Sequence, residues 1–531
     1  MGRPASDSVL RTPKRDAPGS AEQPKDARRG QRLDERVLAI PVALFVLALA
    51  VPISVEIGGM RLSLYRVVLL ATLPFLILRW LGGHAGPLRV ADLTVILLAL
   101  WAMTAFGVHH GASTAIEAGG IFFVETAGAY FMGRVLIRSS AALRATARLL
   151  FYIMLFIAPF AVIEALTGRN ILLEVASLIG DVPPTRRGDG ERLGLTRVQG
   201  PFDHSILFGV FCGTAISLAF YVVGYGKSLL RRLAGTLAVF VTAALSLSSG
   251  PLAGMMMQLY LITWDMVFAR LKSRWTILAV LAGLAYLVVE LNSQRSASEI
   301  FISYFALNAG TAWARLHIWN FGTASILQNP LFGVGLNEWD RPYWLGSSLD
   351  MFWIVPGVRH GIPAMALMLI SFFAVYLPMV VRRGLDDLQH HCRLGLLLSL
   401  SGLFVMGWTV HYWNATYALL MFLIGSGVWL LDARPETRPA DSPATTPRTD
   451  QDERADAGPS FQRSPRPVDR TRSEETRAPE TKAGISDPMP FSRAHLASAR
   501  TERPAAPMTR QTQQARERSD DPENDGRKRP R

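Results

Sequence analysis

Cysteine and the common cofactor-binding motifs are almost missing from this sequence. It has two cysteines, Cys212 and Cys392, among 531 residues, too few for a disulfide framework or a cysteine-based zinc site. It also has no P-loop, no Walker lysine and no glycine-rich dinucleotide fingerprint. We therefore predict a protein that binds no metal, uses no cofactor and does not hydrolyse ATP.

Charge is scarce in the middle of the chain, where long apolar runs take its place. Half of all residues (50%) are hydrophobic, and nearly all of these lie within residues 36–432. A bilayer core needs about 20 apolar residues per helix, and runs of that length recur about twelve times. We therefore predict an all-α, polytopic integral membrane protein. The predicted spans are 37–54, 62–80, 91–107, 114–133, 147–166, 204–224, 232–249, 251–269, 275–292, 360–381, 393–411 and 415–432.

The two ends of the chain are polar and lack apolar periodicity. Residues 1–35 and 433–531 are rich in proline and arginine, with charges of both signs mixed. Such segments cannot bury enough apolar surface to offset their ordering entropy, so we predict two disordered tails. The C-terminal tail either contacts lipid or a cytoplasmic partner, or has no specific role.

Lysine and arginine near the span ends predict the orientation in the membrane. With a cytoplasmic N-terminus, the inside loops read RWLGGHAGPLR, RVLIRSSAALRATAR, YGKSLLRR, RLKSR and RRGLDDLQHHCR, and all are basic. The short outside loops, VEIGGMR, HHGAS, SGP and HYWN, have almost no Lys or Arg. We predict cytoplasmic termini and two long outer loops, 167–203 and 293–359. The net charge of +13 then indicates a basic surface against anionic lipid, with no nucleic-acid partner.

The outer loop 293–359 is predicted to be large and structured. Ser296 and Glu299 fit a capping box for one helix. A second helix is predicted from about Thr311 to Leu327, because the residue before a proline is unfavourable in a helix. The residues that end this helix and turn the chain are Asn329, Pro330, Gly333 and Gly335.

Arg315 and Trp319 lie four residues apart on that second helix and therefore share a face. An arginine fork can hold a phosphate or pyrophosphate through two hydrogen bonds, and a neighbouring tryptophan is a stacking surface for a sugar. The alternative is an interfacial amphipathic helix in which both residues only anchor the chain at headgroup level.

The other outer loop ends in RVQGPFDH, which contains Arg197, Asp203 and His204 at the mouth of a span. Arginine, aspartate and histidine at one membrane entrance predict an anion-binding and proton-transfer cluster. The alternative for His204 is a residue of the membrane interface without a catalytic role.

Further candidate residues lie late in the loop 293–359. Asn337 and Glu338 begin an irregular aromatic stretch and are candidate substrate-binding residues, together with Arg359. Asp350 precedes a re-entering apolar run and is a candidate base, with His360 as a rival. The alternative for Asp350 is a helix cap.

Several ionisable residues fall within predicted spans, where charge is costly and usually paired or functional. Arg66 is predicted to pair with Glu125 or Glu117. Such residues also suit a proton-coupled transporter, which therefore stays an alternative. The full set is Arg66, Glu117, Glu125, Glu164 and Glu290.

Three segments share their order and spacing with one family. The first is RVQGPFDH, which leads into a span. The second is Arg315 and Trp319 followed by NPLFGVG, and the third is LDMFWIVPGVRHG, in which a polar residue opens a re-entering helix. With the span layout, they resemble the O-antigen ligase and polymerase superfamily of bacterial envelope enzymes over residues 36–432.

The resemblance implies a membrane glycosyltransferase of the GT-C type that needs neither metal nor nucleotide. The implied donor is a glycan on undecaprenyl pyrophosphate, and Arg197 and Arg315 are implied to hold the pyrophosphate. The implied reaction transfers the glycan to an acceptor hydroxyl with inversion, at the periplasmic face of the bacterial inner membrane. The implied partners are a chain-length regulator and a flippase of the same pathway.

One difference from the family's sequence pattern bears on which of the family's two activities, ligase or polymerase, this chain has. Ligases carry a His-Asn or His-Ser pair where this chain has Leu349 and Asp350. We therefore expect a polymerase that joins repeat units into exopolysaccharide, capsule or O-antigen, with Asp350 in place of the ligase histidine and His204 and His360 as rival bases. The alternatives are a ligase acting on lipid A–core or protein, and a transporter or flippase.

Overall fold

A computed structural model of the chain describes residues 39–57, 60–185, 191–293, 300 and 309–435. The described part is almost entirely helical, with only two short antiparallel strand pairs, which confirms the predicted all-α class. The capping box at Ser296 and Glu299, and nearly all of the two predicted tails, lie outside the described residues.

Most helices follow one another with short connections, whereas long segments precede the helices that begin at Ser205 and Val355. They are α1 Ala39–Ala48, α2 Leu64–Leu81, α3 Val90–Phe123, α4 Ala129–Leu136, α5 Ser140–Thr167, α6 Ile171–Ala176, α7 Ser205–Gly213, α8 Leu229–Ala244, α9 Ser249–Val267, α10 Arg274–Asn292, α11 Ala309–Gln328, α12 Val355–His360, α13 Ile362–Val381, α14 Asp387–Gly407 and α15 Ala415–Gly427. π-Helical turns span Val124–Gly128 and Leu218–Val223. The strand pairs are β1 Ser54–Ile57 with β2 Met60–Ser63, and β3 Glu191–Arg192 with β4 Leu195–Thr196.

Six stretches of described helix are long and apolar enough to cross a membrane. One of them, Val90–Leu136, covers two predicted spans and is kinked at Gly111, whose φ is 83°. The other predicted segments fall on helices that are shorter or more polar. The chain is therefore a helical membrane protein, whereas the count of about twelve crossings stays a prediction. The six are Leu64–Leu81, Val90–Leu136, Ser140–Thr167, Ser205–Val223, Arg274–Asn292 and Ile362–Val381.

Helices α4 and α15 pack against each other with their backbones in contact. A side chain at Gly425 would meet the carbonyl of Tyr130 and would lie 2.9 Å from the backbone nitrogen of Arg134. A side chain added at Gly133 would likewise lie 2.7 Å from the backbone nitrogen of Ser426 in α15. Small residues allow such close approach between membrane helices, and dispersion contacts then stabilise the pair.

The helix and turn predicted within the loop 293–359 are confirmed. Helix α11 ends at Gln328, just before Asn329 and Pro330. Gly333 and Gly335 have φ angles of 63° and 61°, a conformation that glycine adopts at little cost. The turn brings the backbone N–H of Gly335 to the carbonyl of Arg359 at 2.9 Å.

Loops that were predicted on the outer face contact one another. Each short outer loop touches one of the two long ones, through backbone or side-chain hydrogen bonds. The pairs are Ser54 with Asp181 (3.0 Å), His110 with Leu336 (2.8 Å), Ser248 with Arg197 (2.8 Å) and Asn414 with Asp203 (2.8 Å).

The basic loops predicted on the inner face form a second group in the same way. The pairs are Arg138 with Ala85, Arg89 with Asp432, Arg144 with Tyr225 (2.7 Å) and Gln389 with Arg434 (2.8 Å). The loops are thus grouped as the predicted alternation requires. The side of the membrane that each group faces stays a prediction.

Candidate functional site

The start of helix α9 is a turn that holds two arginine side chains. Ser248 precedes the helix, and Leu247 before it has a left-handed backbone with φ 45°. Arg192 donates from Nη1 to the carbonyl of Leu247 at 2.8 Å, and Arg197 donates from Nη2 to Ser248 Oγ at 2.8 Å. Two arginines of the loop 167–203 therefore converge on the positive end of a helix dipole.

Arg315 of α11 joins this group with a buried guanidinium. Its side chain is only 5% exposed, and its Nη2 donates to Ser249 Oγ at 3.3 Å. Its Nε and Nη1 are buried and have no hydrogen-bond partner in the part of the chain that the structure describes. Burial lowers the pKa of Arg315 to about 10, so the side chain is still charged at neutral pH. We call Arg192, Arg197 and Arg315 the arginine cluster.

Asp350 lies beside the arginine cluster. Its carboxylate opposes the effect of burial on the pKa of Arg315, and its Oδ1 accepts a hydrogen bond from Ser348 Oγ at 2.6 Å. The short helical turn that follows, Phe352–Ile354, is preceded by Met351 rather than by Asp350. The geometry therefore brings the predicted anion clamp and the predicted base together, and Asp350 does not occupy a helix-cap position.

A chain of hydrogen bonds runs from the loops that were predicted on the outer face into the helical core. Asp203 accepts from Asn414 at 2.8 Å, and Asn414 accepts from Arg66 at 2.7 Å. Arg66 then binds Glu125 at 2.8 Å, and Tyr65 donates to the same carboxylate at 2.5 Å. The predicted pair of Arg66 with Glu125 is thus confirmed, and Asp203 is tied to it through Asn414, whose φ of 52° is uncommon for a non-glycine residue.

The other ionisable residues of the predicted spans occupy separate positions. Glu164 is buried and accepts the backbone N–H groups of Gln199 at 2.8 Å and Gly200 at 3.0 Å. Glu117 and Glu290 are exposed. Glu164 therefore fixes the turn that follows Arg197, which orients the loop that carries two members of the arginine cluster.

His204 caps helix α7. Its Nδ1 accepts the backbone N–H of Ile206 at 3.0 Å, and its ring centre lies 6.3 Å from that of Trp413. A ring nitrogen used in this way is not available as a base at the same time. The environment favours the structural alternative for His204.

His360 and Arg359 stabilise the packing of loop 293–359. His360 is 5% exposed and packs against Phe106 and Phe122, with ring centres 4.8 Å and 5.4 Å away. Burial lowers its pKa to about 3. Arg359 donates from Nη1 to the carbonyls of Gly335 and Asn337 at 3.0 Å and 2.8 Å. Both environments favour packing over contact with a substrate.

The remaining predicted residues lie at the surface around α11. Trp319 is 36% exposed, and its ring centre lies 6.0 Å from that of Trp408. Glu338 is exposed and accepts from Arg341 at 2.8 Å. Asn337 is exposed and contributes its carbonyl to Arg359. Trp319 thus keeps an accessible face, although Arg315 on the same helix is buried.

The sequence reasoning missed Arg192, the serines of α9 and Asn414. Ser249 belongs to the short outer loop SGP, and Ser248 directly precedes it. This segment carries no charge, so its sequence gave no signal. Arg192 was visible in the sequence, but nothing distinguished it from the other arginines of the loop 167–203. Asn414 lies in the outer loop HYWN, and only its contacts reveal its role.

Fold and site together define a polytopic helical membrane protein in which an arginine cluster, centred on the buried Arg315, lies between the loops that were predicted to face outwards. No protein-family model matches the chain, and no curated protein matches it. Within the described residues, no group of three or more His, Cys, Asp or Glu side chains is placed to hold a metal ion.

Proposed function

We propose that this protein is a GT-C-type membrane glycosyltransferase that polymerises oligosaccharide repeats carried on undecaprenyl pyrophosphate. The observation that supports the proposal is Arg315, a buried cation with two N–H-bearing nitrogens that no described protein group satisfies. Burying such a charge is costly unless an opposite charge joins it. A pyrophosphate at the positive end of α9 would supply that charge.

In the proposed reaction, the arginine cluster holds the pyrophosphate of the donor. The acceptor hydroxyl attacks the anomeric carbon, and a new glycosidic bond forms with inversion. The bond from that carbon to the pyrophosphate oxygen breaks, so the carrier leaves as undecaprenyl pyrophosphate with the negative charge held by the arginines. Asp350 accepts the proton of the acceptor hydroxyl.

The proposal includes a location and partners. The site faces the periplasm from the bacterial inner membrane, with both termini cytoplasmic, and the product is exopolysaccharide, capsule or O-antigen of the cell envelope. A flippase delivers the lipid-linked repeats, and a chain-length regulator acts beside the enzyme. Trp319 is the proposed stacking surface for a donor sugar.

The test is an assay with purified protein, lipid-linked repeats and no energy source. We expect the wild type to make polymer and Arg315→Ala to lose about 100-fold or more in rate, because a preorganised charge at the leaving group is worth several kcal/mol. Arg315→Lys should recover only part of the rate, since a lysine lacks the guanidinium fork. The control is Arg231→Ala, an exposed arginine on α8, which should behave as the wild type.

The same assay separates the alternatives. Product that forms only when lipid A–core or a protein acceptor is added would replace the polymerase with a ligase. Purified protein that makes no product, but moves lipid-linked repeats across vesicles, would replace the transferase with a transporter. Wild-type polymer from Arg315→Ala would remove the pyrophosphate clamp from the proposal.

A further inference from the structure

A large cavity lies at the end of the molecule away from the arginine cluster. It has a volume of about 780 Å³ and is formed where the start of α1, the end of α2 and the link between α4 and α5 meet. Its neighbours are the basic loops of the second group, because Arg138 at its wall donates to the carbonyl of Ala85. It is therefore separate from the proposed transferase site.

The polar residues of this cavity give it one sign of charge. Arg79, His84 and Arg138 line it, and none of its described lining residues is acidic. Arg79 lies in the last turn of α2 and stacks on Phe75, with 5.7 Å from its guanidinium carbon to the ring centre. Its Nε is buried and has no hydrogen-bond partner in the described chain. The cavity therefore offers donors to an anion.

Apart from Ser139 and Thr146, the rest of the cavity wall is apolar, and it continues along the seam between α1 and α5. Side chains such as Val42 and Leu149 line it. Leu149 also lines a second, apolar cavity of about 370 Å³ that extends to Leu47 and Phe156. The lining residues of α1 and its end run from 39 to 52, which at 1.5 Å per residue is roughly 20 Å. That length suits an acyl chain, since one leaflet of the bilayer core is about 15 Å thick.

We propose that this groove, from Arg79 and Arg138 to Phe156, binds one diacyl glycerophospholipid with an anionic headgroup. The phosphate lies between the two arginines and the acyl chains follow the seam between α1 and α5. Charge complementarity selects an anionic lipid over a zwitterionic one. The basic end of the groove lies among the loops opposite the arginine cluster. The bound lipid therefore comes from one leaflet of the membrane, and the proposed donor comes from the other.

Native mass spectrometry of the full chain in detergent tests the proposal. Phosphatidylglycerol is titrated against phosphatidylethanolamine with the same acyl chains. We expect one phosphatidylglycerol to bind about tenfold or more tightly than phosphatidylethanolamine, and Arg79→Gln with Arg138→Gln to remove that preference. The double variant Arg79→Lys with Arg138→Lys should keep the preference for phosphatidylglycerol, because both positive charges remain.

Two further variants separate the groove from general surface charge. Ala145→Trp fills the cavity from an exposed lining position of α5 and should weaken phosphatidylglycerol binding without any change in charge. Arg231→Gln with Arg270→Gln removes two exposed charges outside the cavity and should leave binding unchanged.

Three results of the binding experiments would overturn the proposal. The first is equal affinity for the two lipids, and the second is full binding of phosphatidylglycerol by Ala145→Trp. The third is displacement of phosphatidylglycerol by an equimolar polyprenyl phosphate, which would make the groove a binding site for the carrier. Occupation of the groove by residues 1–38 would also overturn it, and this would be seen as cross-links from that segment to a probe placed at position 145.

Discussion

Arg315 and Arg134 are both buried arginines, yet their surroundings are opposite. Arg134 is 0% exposed, and its guanidinium binds Asp92 at 3.0 Å and the carbonyl of Pro87 at 2.8 Å. Arg315 has one long hydrogen bond, to Ser249, and two nitrogens without a partner in the described chain. A buried charge with hydrogen-bond partners stabilises the fold. A buried charge without partners lowers stability, and function can require such a charge.

This contrast predicts opposite effects of the same substitution at the two arginines. Arg134→Met should lower the free energy of unfolding by about 3–5 kcal/mol, because it leaves Asp92 as an unpaired buried charge. Arg315→Met should keep or raise the melting temperature and abolish polymer synthesis. Thermal unfolding in detergent and the polymer assay measure the two effects. A large loss of stability in Arg315→Met would make that arginine structural.

His360 is a second residue whose role burial decides. Burial, together with Arg359 and His109, lowers the pKa of His360 to about 3, whereas the pKa of a histidine in an unfolded chain is about 6.5. The unfolded chain therefore takes up this proton first as the pH falls. The stability that neutral His360 provides is complete above about pH 6.5 and is lost as the pH falls towards 3.

We therefore expect His360→Leu, a swap of similar volume, to retain polymer synthesis. It should also reduce the loss of melting temperature between about pH 7 and pH 5, since it removes one group that gains a proton on unfolding. Melting curves at both pH values, compared with those of the wild type, measure this. If His360→Leu were inactive but fully folded, His360 would replace Asp350 as the candidate base.

At the scale of elements, a close contact between two helices of the core depends on two glycines. Gly133 of α4 and Gly425 of α15 allow backbone to touch backbone. Arg134, next to Gly133, then reaches Asp92 in the first turn of α3, so that three helices are joined at one level. Hydropathy alone predicted these helices but said nothing of which pair would touch.

Gly425→Ala should therefore lower the free energy of unfolding by about 1–3 kcal/mol, because the added methyl group overlaps the backbone of Tyr130 and Arg134. The matched control is Gly120→Ala in α3, where the added group would meet nothing within 4 Å. It should be neutral or slightly stabilising, since alanine favours helix. The melting temperatures of the two purified variants measure this difference in stability, and equal values would contradict the packing argument.

At the scale of the whole molecule, the loops fall into two groups that follow their charge. The loops with little net charge meet around the arginine cluster, and the strongly basic loops meet around Arg138 and Asp432. The positive-inside rule assigns the strongly basic group to the cytoplasm. This arrangement would place the arginine cluster and the proposed lipid groove on opposite membrane surfaces.

Single-cysteine labelling tests this orientation. The native Cys212 and Cys392 are both buried, so background labelling should be low. Tyr343→Cys, at a side chain that is 97% exposed, should react with an impermeant maleimide in intact spheroplasts. Lys227→Cys, exposed in a basic loop, should react only after permeabilisation. The reverse pattern would invert the topology.

Much of the fold was predictable because the membrane imposes local rules. A span requires length and apolarity, and both can be read from a window of sequence. The helix α11, its end before Pro330 and the turn at Gly333 were predictable for the same reason, since backbone preferences are local. The count of spans stays a prediction, because α9 and α14 are less apolar than the six candidate spans and pack among other helices, where polar residues cost less than in lipid.

The site was predictable only in part. Arg197, Arg315 and Asp350 were predicted from motifs, and the structure brings them together. Their meeting point was not predicted, because it depends on Ser248 and Ser249, which lie 51 and 66 positions from the arginines that bind them.

By itself, the sequence determined a helical membrane protein, the grouping of its loops and most of the residues worth testing. These are consequences of composition and of preferences that act over a few residues. The tertiary structure alone decided which ionisable groups are satisfied. It left Arg315 buried with open donors, and gave Arg134 a full set of partners. It also enclosed His360 among aromatic rings. Burial and pairing arise from contacts between distant segments, and no local pattern encodes them.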